Sequence, residues 1–184
     1  MRKVTYSMGV SLDGYIHGPD GSFDWSVPDP EMFAHFTDEL RRVDVHLLGR
    51  RLYETMRYWD TAEGLDEAEQ EWAELWQRTP KVVFSRTLTE VEGPNTALAA
   101  GSVADEIARW RADGNGEIAI GGAELAAAAA ELDLIDEYRA MVHPVLVGGG
   151  VPFFARGERR AGLELVENRV FASNVVLLRY RVVR

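Results

Sequence analysis

Some segments of this chain have the apolar and polar pattern of a strand and others that of a helix, and the boundaries between these segments mark the predicted elements. Residues 3–10 are rich in β-branched and aromatic side chains and stop at a Leu-Asp-Gly turn, which predicts a strand entering a loop. Residues 32–40 carry apolar side chains three or four positions apart behind Asp29 and Pro30, so we expect a capped helix that reaches about residue 42. The same succession of a short apolar strand and a helical segment recurs, with predicted strands at 43–48, 81–85 and 117–120.

The last third of the chain follows a different pattern, because no helical period separates its apolar segments. Strands are predicted there at 137–147, 163–171 and 174–183. Strand-helix alternation favours parallel pairing, whereas short connections between strands favour antiparallel pairing. We therefore predict one α/β domain over residues 1–184, with a central, mostly parallel sheet, antiparallel C-terminal strands and helices on both faces.

Residues 13–30 form the longest predicted connection, and they are rich in glycine and proline. The segment Gly18-Pro19-Asp20-Gly21 has the composition of tight turns. Long loops in compact domains are usually functional. We expect residues 13–28, here called the lid segment, to close over a ligand and to be more mobile than the sheet.

Composition limits the partners that this chain can bind. A formal net charge of −10 would repel a phosphate backbone, so nucleic acid is not expected as a partner. The chain has no cysteine, which excludes disulfides and thiolate chemistry. The first residues lack the apolar stretch of a secretion signal, and no apolar run is long enough to cross a bilayer, so we expect a soluble, cytoplasmic protein without a membrane partner.

Three predicted strands end in Gly, Ser or Arg, at Leu48-Gly49-Arg50, Phe84-Ser85-Arg86 and Ile120-Gly121-Gly122. Glycine lets a phosphate approach the backbone closely, and a helix N-terminus presents unpaired N–H groups to an anion. A Gly-Gly pair before a helix is also explained by turn geometry alone. The joint occurrence with two arginines, at strand ends that share one edge of the sheet, favours a phosphate-bearing ligand.

The order and spacing of these motifs resemble the dihydrofolate-reductase-like superfamily. The resemblance is closest to the C-terminal reductase domain of the deaminase-reductases of riboflavin biosynthesis and to its stand-alone relatives, and it covers nearly the whole chain. It rests on SLDGYI at 11–16, LGRRLYET at 48–55, VFSR at 83–86, IAIGGA at 118–123 and HPVLVGGGVPFF at 143–154. It implies the same fold and a reductase activity.

The resemblance also implies that NADPH is the cofactor and binds along these strand ends. Ser85 and Arg86 are expected to hold the 2′-phosphate of the adenosine, and Val10 and Ile16 to flank the nicotinamide. The full set of expected cofactor contacts is Val10, Ile16, Gly49, Arg50, Arg51, Ser85, Arg86, Ile120, Gly121, Gly122, Ala123, Glu124 and Leu125.

Three residues are candidates for the reacting end of the site: Asp13, Thr55 and Asp29. The resemblance places Thr55 where the nicotinamide ring meets the substrate. Asp13 either orients the substrate or bonds nearby backbone N–H groups, and both interpretations stand at this point.

Dihydrofolate reductases carry a substrate-binding carboxylate on the first turn of the helix after the long loop. Here Pro30 takes that position, between Asp29 and Glu31. Either carboxylate is available for the role, but the change argues against dihydrofolate itself as the substrate.

The leading hypothesis is an NADPH-dependent reductase that transfers hydride to a small polar heterocycle, either pterin-like or ribosylaminopyrimidine-like. The alternative is an NADP(H)-binding dimeric protein without turnover that acts as a sensor or a structural protein. The spacing of the four histidines predicts no metal site, and no Gly-x-Ser-x-Gly motif of a serine hydrolase is present. A homodimer is expected, because residues 175–178 look strongly apolar in an otherwise exposed C-terminal strand and the resemblance points to pairing there.

Overall fold

An eight-stranded sheet forms the centre of this computed structural model, which describes residues 1–112, 114–154 and 160–184. The strands are β1 (Lys3–Ser11), β2 (Tyr15–His17), β3 (Val43–Gly49), β4 (Lys81–Phe84), β5 (Thr96–Leu98), β6 (Glu117–Gly121), β7 (Glu137–His143), β8 (Val151–Pro152), β9 (Gly162–Val170) and β10 (Val176–Val183). The helices are α1 (Pro30–Leu40), α2 (Arg50–Met56), α3 (Tyr58–Thr61), α4 (Glu67–Arg78), α5 (Val103–Arg111) and α6 (Ala123–Glu131). Strands β2 and β8 lie outside the large sheet and pair with each other.

The order of strands in the sheet is β5-β4-β3-β6-β1-β7-β10-β9. Every neighbouring pair from β5 to β7 is parallel, whereas β10 is antiparallel to both β7 and β9. The predicted parallel centre with an antiparallel C-terminal edge is therefore confirmed. The physical reason is the length of the connections, because a parallel neighbour needs a long crossover and a short turn can only reverse the chain.

The two faces of the sheet are covered by different helices, as predicted. On one face, Ile107 of α5 and Ala129 of α6 pack in a buried cluster with Tyr6 of β1. On the opposite face, Met32 of α1 and Trp72 of α4 are buried against strand side chains. None of the described helices is long and apolar enough to cross a bilayer.

Three local predictions need correction. The strand expected at 137–147 ends at His143, because Pro144 has no N–H to donate and the run Gly148-Gly149-Gly150 has φ values of 76°, 157° and 114°. The connection at 13–30 contains β2 and a short 3₁₀ helix, Asp24–Ser26. Strand β5 has only three residues, too few for a visible period, and was not expected from the sequence.

The C-terminal strands also differ from the expectation for residues 175–178. Val175 and Leu177 are buried on the face that α1 covers. The exposed apolar side chains lie instead on the edge strand β9, where Leu163, Leu165 and Val170 are 40%, 48% and 66% exposed. Among the described C-terminal strands, the exposed apolar side chains therefore lie on β9 and not on residues 175–178.

Candidate functional site

The carboxyl ends of β4, β3, β6, β1 and β7 lie side by side at one edge of the sheet. All five strands are parallel, so the segments that follow them emerge on the same side. Ligands of open α/β sheets bind at this edge. The three Gly, Ser and Arg motifs found in the sequence are brought together here.

Gly49, Gly121 and Gly122 lie next to one another at the ends of β3 and β6 and are here called the glycine cluster. A Cβ atom on Gly121 would lie 2.3 Å from Cδ2 of Leu52, and one on Gly122 would lie 3.7 Å from the Gly49 backbone. Gly122 has a φ of 104° and is the N-cap of α6. Because no side chain caps α6, the N–H groups of its first turn stay available to an anion.

The turn after β4 is organised by the Ser85 hydroxyl, which accepts hydrogen bonds from the N–H groups of Thr87 and Leu88 at 3.2 and 3.0 Å. Arg50 of α2 donates to Oγ1 of Thr87 at 2.7 Å and also to Glu54 at 2.7 Å. The β3 and β4 ends therefore form one surface. Thr87, which makes this link, was not anticipated, and its only signal in the sequence is a hydroxyl two residues after Ser85.

Two cations at this surface have no partner of their own. The side chains of Arg51 and Arg86 are exposed and make no hydrogen bond or ion pair within the described chain. Arg50, by contrast, is already paired with Glu54. The arginines that can meet a phosphate without first losing a partner are therefore Arg51 and Arg86.

The remaining expected cofactor positions surround these turns. Val10, Ile16 and Ile120 are buried in the same cluster beneath the strand ends. Ala123, Glu124 and Leu125 form the first turn of α6, with Glu124 exposed and the other two half-buried.

Asp13 is tied to the loop that follows β7. Its carboxylate accepts hydrogen bonds from the Ser11 hydroxyl at 2.6 Å and from the backbone N–H groups of Val147 and Gly148 at 3.2 and 2.7 Å. The Ser11 hydrogen bond and these two N–H groups lower the pKa of Asp13. Asp13 is therefore held as a carboxylate that joins two loops of the site.

Asp29 and Glu31 both hold structure at the start of α1. Oδ1 of Asp29 caps the helix by accepting from the Met32 N–H at 2.8 Å, which lowers the pKa of Asp29. Hydrogen bonding from Ser173 lowers the pKa of Asp29 further. Glu31 is paired with Arg169 at 2.6 Å.

Thr55 is exposed on α2, and its hydroxyl donates to the Arg51 carbonyl of its own helix at 3.0 Å. No hydrogen bond within the described chain joins any two of Asp13, Thr55 and Asp29. The structure therefore does not assemble the three candidates of the reacting end into one hydrogen-bonded group.

His143 and Trp25 form a pair that sequence reasoning did not include in the site. The two rings lie 5.2 Å apart in an edge-to-face arrangement at the end of β7. His143 was considered only as a metal ligand, and in the described residues no group of three or more His, Cys, Asp or Glu side chains is arranged to hold a metal. The sequence feature that could have identified His143 is its position as the last residue of β7, because the carboxyl end of that strand lies at the site.

Comparisons with known proteins agree with this fold. The chain is 33% identical over 181 residues to YyaP, an uncharacterized protein of Bacillus subtilis (strain 168), and the match covers 97% of this chain and 94% of that protein. A crystal structure of a protein assigned provisionally to riboflavin biosynthesis in Shewanella sp. PV-4 superimposes with a TM-score of 0.80 at 29% identity, over all of both chains.

A more distant match is the diaminohydroxyphosphoribosylaminopyrimidine deaminase/5-amino-6-(5-phosphoribosylamino)uracil reductase of Thermotoga maritima. Its TM-score is 0.71 at 14% identity, and the match covers 99% of this chain but 57% of that one. This likeness shows a shared fold. The model of the RibD C-terminal domain matches residues 2–177, and the chain therefore belongs to the RibD C-terminal domain family.

Proposed function

We propose that this chain is an NADPH-dependent reductase that transfers hydride to a ribosylaminopyrimidine-like heterocycle. Membership of the RibD C-terminal domain family supports a reductase. The observation that carries the choice of NADPH is the unpaired Arg86 beside the Ser85 turn, at the same edge of the sheet as the glycine cluster.

The residues at this edge fit a cofactor that carries several phosphates. Gly121 is crowded by Leu52 and Gly122 has a positive φ, so both positions favour glycine, and with no side chain there a pyrophosphate would approach the uncapped N-terminus of α6 directly. Arg86 presents a planar set of donors that matches a phosphate, and it has no carboxylate to give up first. Arg51 adds a second unpaired cation. When bound, NADPH would supply the hydride, and a proton from an acid or from water would complete the reduction.

The chain itself would position the reactants and exclude water. Asp13 acts as a positioning residue, because it fixes the β1 end to residues 147 and 148. The buried side chains of Val10 and Ile16 would form the apolar wall beside the nicotinamide. Thr55, which is exposed on α2, and Asp29 would lie at the substrate end.

The direct test is to incubate the purified protein with NADPH and 5-amino-6-(5-phosphoribosylamino)uracil and to follow loss of reduced nicotinamide absorbance. We expect oxidation of NADPH that depends on the pyrimidine, and a reduced product by mass spectrometry. NADPH binding without turnover on this pyrimidine or on dihydropterins would instead favour the alternative of a cofactor-binding protein. Absence of NADPH binding would refute both.

We also propose that the chain forms a homodimer through β9. An exposed edge strand with apolar side chains is prone to pair with another copy. Size-exclusion chromatography with light scattering should give a dimer at micromolar concentration. Leu165→Glu should weaken it by roughly tenfold or more, because it places a charge in the interface. Tyr58→Glu, a similar change at an exposed position of α3, is the control. A wild-type monomer would refute the proposal.

A further inference from the structure

A cavity lies on the face of the sheet that α6 covers, and it is here called the tyrosine cavity. Its volume is about 290 Å³. Its lining includes Tyr6, Ala127, Ala130, Tyr138, Phe153 and Leu163. An apolar protein cavity of about 150 Å³ is enough to hold a benzene molecule. The tyrosine cavity is therefore large enough for a small ring compound.

The tyrosine cavity is separate from the candidate functional site. Tyr6 lies on β1 four residues before Val10, and a strand rises about 3.4 Å per residue, so the two positions are roughly 13 Å apart along the strand. Ile135, which also lines the cavity, comes two residues before β7 begins. The cavity therefore lies towards the amino ends of the strands, and none of the expected cofactor contacts is among its lining residues.

The hydroxyl of Tyr6 is a polar group in the wall of this cavity. The Tyr6 side chain is 1% exposed, and its hydroxyl is enclosed without a hydrogen-bond partner among the described residues. Burial raises the pKa of Tyr6, so the hydroxyl keeps its proton at neutral pH and can donate it to a hydrogen bond. Buried polar groups are nearly always paired. The unpaired hydroxyl therefore points to an acceptor on a molecule that enters the cavity.

The walls of the cavity are apolar and largely aromatic. The ring of Tyr6 lies 4.6 Å from that of Phe153 and 6.3 Å from that of Tyr138, in the second case edge to face. From the helix side, Ala127 and Ala130 of α6 present only methyl groups. Aromatic side chains pack well against another ring. These walls therefore favour an aromatic ligand.

Charged groups narrow the choice of ligand further. Two carboxylates, those of Glu131 and Asp133, line the cavity, and no lysine or arginine of the described chain does so. Carboxylates repel an anion. An ammonium group has no lone pair that could accept a hydrogen bond from Tyr6. The ligand that fits both the carboxylates and the hydroxyl is therefore uncharged and carries an acceptor.

We propose that the tyrosine cavity is a second ligand site, and that it takes a small uncharged aromatic compound whose oxygen accepts a hydrogen bond from Tyr6. An aryl ketone has this chemistry, because its ring suits the apolar walls and its carbonyl oxygen is an acceptor only. Binding at this site needs no nicotinamide cofactor. The inference therefore stands or fails independently of the proposed function.

The test uses acetophenone as the probe and ethylbenzene as its matched control, which has nearly the same shape but no acceptor. In ¹H–¹⁵N NMR spectra of the wild type, acetophenone should cause saturable shifts of the amide signals of residues 126–131 and 135–138, and ethylbenzene should bind more weakly. Tyr6→Phe removes the donor alone. It should weaken acetophenone binding roughly 2- to 10-fold and should not weaken ethylbenzene binding. Shifts centred on residues 49–51 would instead place the ketone at the candidate functional site and contradict the inference.

Tyr6→Phe also tests the unpaired hydroxyl without any ligand. A buried hydroxyl that has no partner costs the fold its lost hydration, so the variant should not have a lower free energy of unfolding than the wild type. Tyr53→Phe is the matched control, because the Tyr53 hydroxyl donates to the Glu92 carbonyl at 3.1 Å and accepts from the Glu92 N–H at 2.8 Å. This control should lose stability in urea unfolding. An equal loss in Tyr6→Phe would show that its hydroxyl is already paired, and would overturn the inference.

A second variant tests the cavity from the helix side. Ala127→Leu places a larger side chain in the cavity and should abolish binding of both probes. Ala128→Leu is the same change at the next position of α6, which is exposed and does not line the cavity, so it should bind both probes like the wild type. Urea unfolding shows whether each variant is folded, and Tyr6→Phe decides if Ala127→Leu is not.

Four further results would overturn the inference. They are no saturable binding of acetophenone, acetophenone binding that Tyr6→Phe leaves unchanged, tighter binding of benzoate than of acetophenone, and binding that appears only in Leu165→Glu. The last result would show that a second copy of the chain covers the cavity in the wild type.

Discussion

The two ends of the parallel strands treat charge in opposite ways. Towards the amino ends, Arg139 is 2% exposed and is paired with Glu39, Glu117 and Glu137 at 2.9, 2.8 and 2.7 Å. At the carboxyl ends, Arg51 and Arg86 are exposed and unpaired within the described chain. The cations are of the same type, and their surroundings differ.

The difference follows from the cost of removing a charge from water. A buried guanidinium is tolerated only with carboxylate partners, so Arg139 contributes to the fold and cannot serve a ligand. An exposed guanidinium stays hydrated and costs the fold little, so Arg86 is free to bind an anion. One end of the sheet therefore serves stability, and we propose that the other serves binding.

The largest expected effect is the loss of Arg139. Arg139→Leu leaves three carboxylates without their shared partner, and we expect the free energy of unfolding to fall by about 3–5 kcal/mol. Urea unfolding measures the change. Arg181→Leu, which removes a mostly exposed pair with Glu164, should cost about 1 kcal/mol or less. Equal losses of stability in the two variants would show that the buried ion pairs of Arg139 stabilise the fold no more than the exposed pair of Arg181.

A second effect at the same end depends on pH. Burial raises the pKa of Glu137, but hydrogen bonds from Arg179 and Lys3 and the charge of Arg139 outweigh it and lower that pKa from 4.5 to about 2. A carboxylate whose pKa is lowered by folding stabilises the fold at pH values above its pKa in the unfolded chain. That contribution is lost as the pH falls towards its pKa in the folded chain.

Glu137→Gln should therefore be less stable than the wild type at neutral pH, and the difference should shrink between pH 4.5 and 2. Unfolding curves recorded across this range check the prediction, with the exposed Glu164→Gln as the control. A difference that stays constant with pH would show that Glu137 is not held by these charges.

At the carboxyl ends, Arg86→Ala should leave the free energy of unfolding nearly unchanged and should weaken binding of the cofactor. Charge-assisted hydrogen bonds are worth about 1.5–3 kcal/mol, so NADPH binding should weaken roughly 10- to 150-fold while NADH binding changes little. Titration of each cofactor against tryptophan fluorescence measures both affinities, with Arg181→Ala as the control. An unchanged ratio of NADPH to NADH affinity would exclude Arg86 from the site.

The smallest expected effect concerns backbone motion. The lid segment contains only short elements, so its amides should exchange hydrogen faster than those of residues 82–84 in β4. NADPH should slow exchange in the lid segment and leave the amino ends of β6 and β7 unchanged. Hydrogen-exchange mass spectrometry measures both regions. Equal protection without ligand, with no slowing on cofactor binding, would contradict the assignment of a lid.

Much of the fold could be predicted because its signals are local. The apolar runs at 43–48 and 117–120, each followed by glycine and a helical period, determine both the elements and their parallel pairing. The Asp29-Pro30 start of α1 was likewise visible, since capping depends on neighbours within one turn. Strand β5 was not visible, because it depends on pairing with β4 at the sheet edge. The end of β7 at His143 was missed although Pro144 and the glycine run mark it locally.

The candidate site was predictable only in part, for the same reason. The sequence by itself determined which residue types stand at the strand ends: glycines at 49, 121 and 122, and arginines at 50, 51 and 86. It could not show that Arg50 forms an ion pair with Glu54, or that Asp13 accepts hydrogen bonds from Val147 and Gly148. It also could not show that the rings of His143 and Trp25 are in contact. Whether a polar group is already satisfied depends on neighbours that only the folded chain supplies. The tertiary structure therefore decided which of these groups remain free for a ligand.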